Sequence, residues 1–414
     1  MQIIKNLLFN QTKSSLNLFL VAPIVIVFLL GCFCSSNDSP TVSCITADGK
    51  TLTLTTRNNK LQMFNLSDGK EIANNSPNSA SVFCTQENDV VTIKVEKNEK
   101  ERNQRSASWK NSAKTKQLGQ IDFLELYIGL IQDKYIVSSS REFIQESKTS
   151  RPGGSRIYYK VFTKPQIFTL EDLSTGKLTN YPMTPEKLGI ETRFKETYFR
   201  FYPLHLSADG NLLFAVDTQF DSPRLYKLEM LSGKLSKISE NKITVNDIPP
   251  KNVEYTSDRD FNAVADKAGK FVAFTYSMDN GKNGLKKLIR VFNLETNQEI
   301  ISKTVDGVSF SGNGVQLIFE ENSKKLAMQI FGFKFDPTRS VSDVTVFDLQ
   351  NGNEIATVDA KVFFKDPETV GLLNLIGDEL IVNYSHNSQI WGKKTNICKL
   401  NIVSKQIVWE AELK

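Results

Sequence analysis

A strand–turn–strand segment returns again and again along this chain, and a hairpin repeated that often leaves few folds open. Its clearest copy, VTVFDLQNGNEI at residues 344–355, has alternating apolar positions, a polar turn centred on Gly352 and the start of a second strand. Variants are LQMFNLSDGKEI (61–72), IFTLEDLSTGKL (167–178), LYKLEMLSGKL (225–235), IRVFNLETNQEI (289–300) and ICKLNIVSKQIV (397–408). Apolar alternation at period two marks a half-buried strand, and a Gly- or Asn-bearing turn between two such runs marks a hairpin. A second unit, with a tight polar turn between two apolar strands, spans residues 44–54, 83–93, 130–137, 204–215, 263–274, 317–328 and 373–382. Each is followed by a copy of the first unit, except that after 83–93 the only candidate is the degenerate SASWKNSAKTKQL (106–118).

Two hairpins in succession make a four-stranded antiparallel meander, and seven such units spaced about 40 to 75 residues apart predict a ring. A lone meander of this kind is apolar on both faces, so each needs a neighbour on either side, and only closure removes exposed ends. The pattern resembles a seven-bladed β-propeller of the broad WD40, YVTN and PQQ-like group over residues 41–414. FNL (64–66), FNL (292–294) and FDL (347–349) sit where WD40 repeats carry their Trp-Asp pair. The Gly-His pair and even spacing of WD40 repeats are absent, so the resemblance is one of architecture. The expected fold class is all-β, a single β-propeller of seven four-stranded antiparallel blades. A pair of β-sandwich domains is the rival, but it does not predict paired hairpins.

Lys5 and Lys13 precede an apolar run that ends in LLGC, Leu29 to Cys32. A basic start, an apolar stretch and a small residue before a cleavage point make an export signal. LLGC resembles the lipobox of bacterial lipoproteins, whose cysteine is acylated and becomes the mature N-terminus. The expectation is a signal peptide over 1–31, a lipidated tether over 32–40 with Cys32 as the attachment point, and the propeller over 41–414. A retained signal anchor and a plain cleaved signal are the alternatives, the first weakened by Pro23 and by a short apolar run. The resemblance places the protein in the cell envelope, lipid-anchored to a bacterial membrane and preferably the outer one, with its domain in the periplasm or on the surface.

Cys44 and Cys84 hold similar places in successive repeats. In an oxidising compartment they pair if their Cα atoms come within about 7 Å; two buried thiols is the plainer expectation.

In an antiparallel a-b-c-d blade the a–b and c–d turns leave at one end and the b–c and d–a connections at the other. The insertions at 139–164, 180–199, 240–257 and 332–343 all belong to the second set, so one face is smooth and the other elaborated. Long connections on a rigid scaffold tend to carry binding. Arg141, Arg151, Arg156, Lys160 and Lys164 make the first of these insertions a candidate binding loop, with SRPGGSR (150–156) built for flexibility. A second basic stretch, Lys94 to Lys116, is interleaved with Glu96, Glu99 and Glu101 and reads as a solvated loop. With 51 basic against 46 acidic residues the net charge is +5, too slight to point to nucleic acid.

Catalytic patterns fail in turn. Two histidines, His205 and His386, are too few for a histidine-rich metal site, and HExxH, paired CxxC and GxSxG are absent. His205 falls in an innermost strand as a core or channel residue, and His386 reads as an exposed turn residue. Trp109, Trp391 and Trp409 fall in outer strands or loops, away from any quinone floor. Asp209, Asp266 and Glu320 sit at a–b turns, where turn chemistry accounts for them. No cofactor and no metal are expected. The leading function is a non-enzymatic binding or scaffold module for a protein or glycan partner of the envelope, tethered through its lipid, with no nucleic acid. The alternative is a channel-site hydrolase or lyase of the lactonase kind.

Overall fold

The computed structural model of the chain describes residues 40–56, 61–75, 79–85, 87–97, 103–110, 114–121, 124–149, 156–191, 199–217, 224–238, 262–279, 285–306, 315–320, 322–330, 344–359, 363–364, 369–388 and 392–413. The signal segment, the tether as far as residue 39 with its Cys32, and Arg151 lie outside them.

The period-two segments become strands that pair with their sequence neighbours. The first sheet holds β1 (Pro40–Ile45), β2 (Thr51–Thr56), β3 (Leu61–Asn65) and β4 (Glu71–Asn75). The second holds β5 (Ser79–Cys84), β6 (Val90–Lys97), β7 (Asn103–Trp109) and β8 (Thr115–Gln117), so the degenerate repeat is a true hairpin. In the third, β9 (Leu124–Ile131) and β10 (Tyr135–Ser140) are separated in sequence from β13 (Gln166–Asp172) and β14 (Leu178–Met183) by an inserted ribbon, β11 (Phe143–Thr149) and β12 (Arg156–Phe162). A single helical turn, α1 (Pro185–Leu188), leads to the fourth sheet, β15 (Arg200–Leu206), β16 (Asn211–Asp217), β17 (Arg224–Glu229) and β18 (Lys234–Ile238). The fifth is β19 (Asn262–Ala265), β20 (Phe271–Asp279), β21 (Leu285–Asn293) and β22 (Gln298–Asp306). The sixth is β23 (Val315–Phe319), β24 (Lys325–Ile330), β25 (Val344–Asp348) and β26 (Glu354–Val358). The seventh is β27 (Thr369–Ile376), β28 (Glu379–Ser388), β29 (Gly392–Asn401) and β30 (Gln406–Glu412).

From β1 round to β27, the first strand of each sheet touches the first strand of the next, so these strands line the axis. Among the described residues the buried apolar side chains fall into seven clusters, each shared by two consecutive sheets, with one between the seventh and the first. That is a seven-bladed β-propeller whose core lies between the blades, as two-faced apolar meanders require. Two sandwiches would have pooled these side chains into two cores.

The recurring motif owes its sequence to two local demands. Its Asn or Asp closes an Asx turn: Asn65, Asp172, Asn293, Asp348 and Asn401 each accept backbone N–H bonds from residues two or three further on. Its glycine faces the outer strand of the preceding blade. A Cβ at Gly352 would stand 2.3 Å from the Ile300 carbonyl oxygen, with φ at +75°. The aromatic rings of Trp409 and Tyr181 press in the same way on the turns that hold Gly69 and Gly233. They also bond those turns, Trp409 Nε1 to Leu66 O at 3.0 Å and Tyr181 Oη to Met230 O at 2.6 Å. The phenylalanines Phe64, Phe292 and Phe347 sit at a register shift in the same strand and are buried.

The ring closes without exchanging a strand, since blade one uses β1–β4 and blade seven β27–β30. The seam is an apolar cluster that includes Leu54, Phe64, Ile381 and Trp409, reinforced by Lys399 Nζ, which also donates to Leu66 O at 3.0 Å.

Two sequence expectations need correction. His386 is a strand residue, paired with Lys394 where β28 and β29 run on as a long hairpin. The described residues of the basic stretch 94–116 belong mainly to blade two's β6, β7 and β8; 98–102 and 111–113 lie outside the described residues. Its Arg105 is wholly buried, ion-paired to Glu171 of blade three, with Nε donating to Gly119 O at 2.9 Å. Gly119 N donates to the same carboxylate, so one cross-blade network pairs the two charges, while Arg105 Nη1 is buried with no hydrogen-bond partner.

Candidate functional site

The two ends of the disc differ. All a–b and c–d turns are two to five residues long, whereas the opposite end carries connections of up to 25 residues. Of the four insertions, 240–257 and 332–343 lie outside the described residues, as do 150–155 of the first and 192–198 of the second.

The first insertion is an ordered ribbon. β11 and β12 pair without a register break from Phe143↔Phe162 to Thr149↔Arg156, with Gln145 opposite Lys160. Its root is braced. Phe143 and Phe162 meet edge to face, 6.3 Å between centroids. Glu142 takes an ion pair from Lys164 and a hydrogen bond from Thr163 Oγ1, and those two bonds hold its carboxyl below the usual range. Arg141 proves to be part of this root and not of a binding surface. It is 2% exposed, its guanidinium 4.0 Å from the Phe162 ring centroid and 5.7 Å from that of Phe201. It donates to the Phe199 carbonyl at 2.6 Å and the Lys164 carbonyl at 3.2 Å. An arginine fits here because its planar fork reaches two carbonyls while stacking on rings. Lys164 keeps its side chain largely in solvent. Arg156 and Lys160 are strand residues of the ribbon.

The axis holds a cavity of about 1040 Å³ bounded by all seven blades. Its lining runs from the middle of the first strands to the a–b turns, where Gln132, Asp133, Ala208 and Lys267 stand at the smooth face. Among the described residues, none from the long connections lines it. Cys44 and Cys84 face each other across the boundary of blades one and two and are joined as a disulfide, Cα to Cα 5.9 Å, which corrects the plainer expectation of two free thiols. The interface they cross is the thinnest of the seven: four buried apolar residues against fourteen between blades three and four, among the described residues. A covalent tie compensates for that shortage. Cys398 is a buried thiol, its pKa pushed up by burial.

His205 lines this cavity. Burial pushes its imidazole below the usual pKa, against the pull of Asp266 and Asp209, so it is neutral at pH 7. The nearby carboxylates are occupied by their turns. Asp209 accepts from Ser207 Oγ, the main reason its pKa is lowered, and from Asn211 Nδ2 at 2.7 Å. Asp266 takes the Lys270 and Phe271 amides, each at 2.7 Å, and Ser323 Oγ of the next blade. Glu320 receives Lys324 N at 3.2 Å. Among the described residues, no group of three His, Cys, Asp or Glu side chains forms a possible metal site, and no helix is long and apolar enough to cross a membrane.

Sequence reasoning did not find the cavity wall. Its signal was present in first strands such as LELYIGLI, apolar at both parities where a strand covered on one face alternates. Comparison of the chain with protein-family models and with the curated proteins found no match.

Proposed function

We propose that this chain is an exported, lipid-anchored propeller of the WD40, YVTN and PQQ-like group. It serves as a non-enzymatic binding or scaffold module of the bacterial cell envelope, meeting a protein or glycan with its elaborated face. The observation that carries this reading is the braced ribbon β11–β12, rooted by the buried Arg141 on the face where every long connection emerges. Ordering the fourteen residues of the ribbon's two strands costs on the order of 1–2 kcal/mol each in backbone entropy, a cost an idle insertion has no reason to meet. The occupied turn carboxylates weigh against a lactonase-like channel enzyme.

A pull-down from detergent-solubilised envelope tests the reading. The full chain is compared with a form in which residues 143–162 are replaced by a four-residue Gly-Ser turn. Selective loss of a partner with the shortened form is expected, and equal recovery removes the loop-face assignment. For the anchor, an alkyne-bearing palmitate is expected to label the wild type and not Cys32→Ser; labelling of both refutes acylation at that residue.

A further inference from the structure

We propose that the axial cavity is a separate binding site, for an uncharged, mainly hydrocarbon molecule with one hydrogen-bonding group received at His205 or Asn374. It reaches the a–b turns, on the face opposite the ribbon, so it stands or falls independently of the envelope-partner reading.

Protein interiors pack as densely as organic crystals. A space of about 1040 Å³ between seven inner strands is therefore surface that folding leaves uncovered, and it lies at the upper end of the sizes of small-molecule sites. Its wall is divided by chemistry. In the strands it is made by large apolar side chains such as Phe83, Leu126, Ile128, Leu204, Ile318 and Leu373, none of them fully buried. Leu126 is 47% exposed although it belongs to an innermost strand. Among the described residues the polar side chains on this strand-borne wall are Ser81, His205 and Asn374, with Tyr127 turned into the blade interface beside Arg105. The charged lining residues, Asp133, Asp266 and Lys267, are all on turns at the mouth, and Asp266 is spent on turn hydrogen bonds.

An ionised ligand would have to leave water for a wall that offers no opposite charge at depth, which is strongly unfavourable. A hydrocarbon body instead releases water from leucine, isoleucine and phenylalanine side chains, which is the usual driving force for such sites. A few hydrogen-bonding side chains then fix orientation. The Cys44–Cys84 cystine, itself part of the wall, holds blades one and two in place, so little ordering is left to be done on binding.

Photolabelling of the full chain in neutral detergent with 3-trifluoromethyl-3-phenyldiazirine, mapped by peptide mass spectrometry, tests this. The expected result is saturable labelling of peptides containing β9, β15 and β23, competed by excess 1-dodecanol and not by dodecanoate. Leu126→Lys should lower that labelling about tenfold or more, the worth of one apolar side chain. Leu126→Trp, which keeps the wall apolar but fills it, should lower it too with the fold intact by circular dichroism. Label confined to residues 1–39, label spread without saturation, equal competition by dodecanoate, or full labelling of both variants would each overturn the proposal.

Discussion

Replacing Gly352 by alanine tests the packing rule that ties the repeat to the ring. The new methyl carbon would lie 2.3 Å from the Ile300 carbonyl oxygen of the preceding blade, a main-chain atom that cannot rotate aside. At a φ of +75° alanine also meets the left-handed penalty of about 1–2 kcal/mol. Relieving the overlap adds about 1–3 kcal/mol, as overpacking does elsewhere, for a total of about 2–5 kcal/mol. Gly176 is the internal control: its φ is +74° but nothing lies within 4 Å, so Gly176→Ala should lose only the first part. Melting is a blunt assay here. At about 2 cal/mol/K per residue, the unfolding entropy of so long a chain makes 4 kcal/mol a shift of only about 5 °C. Hydrogen exchange reads the blade directly. The Gly352 N–H bond to Asp348 O, 2.8 Å, and the Asp348 N–H bond to Asn353 O, 2.9 Å, should lose protection about thirtyfold or more in Gly352→Ala. The equivalent turn in Gly176→Ala should lose about tenfold. Equal losses at the two turns, or an unchanged turn in Gly352→Ala, would refute the docking argument.

Other perturbations probe the remaining joints. Arg105→Met or Glu171→Leu alone should cost about 3–5 kcal/mol by urea denaturation, because each strands a buried partner, while the double variant should recover most of that loss; losses that simply add would show the pair to be uncoupled. Cys44→Ala with Cys84→Ala opens a 40-residue separation and should destabilise the protein by about 4 kcal/mol, seen first as faster exchange in β1 and β5; unaltered exchange there would contradict the view of blades one and two as the thin interface. His205 has a folded pKa depressed below its ordinary 6.5, so its contribution is complete above about pH 6.5 and is lost as pH falls through the folded value. Urea midpoints at pH 7.5 and 5.5 should fall more for the wild type than for His205→Gln, and parallel falls would exclude this histidine as the cause.

Much of the ring was legible in the sequence because its elements are local. An alternating strand, an Asx turn and a close-packed glycine all lie within a dozen residues, as in VTVFDLQNGNEI, and seven such pairs leave a closed array as the only way to bury both faces. What was hidden is what depends on distant partners. Nothing near Arg105 announces Glu171, 66 residues further on, so the arginine reads as one more solvated charge. The ribbon β11–β12 is masked by its polar middle, Gln145 to Lys148, which lacks the alternation of a strand resting on a core. His386 lies beyond the apolar part of β28, where the two strands stay paired as far as Ser388 and Gly392. Arg141 looks like part of a basic recognition loop until Phe162 and Phe201 are brought beneath it.

The unexchanged seam has a mechanical side. The chain enters the ring at Pro40, on a strand held to its own blade only by the β1–β2 ladder. A pull applied ahead of that residue would load this ladder first, with Ile45 in the apolar seam and no strand shared with blade seven to back it. The cystine supplies that backing: a few residues into the strand it passes tension from Cys44 to Cys84, so two blades resist together where one would peel.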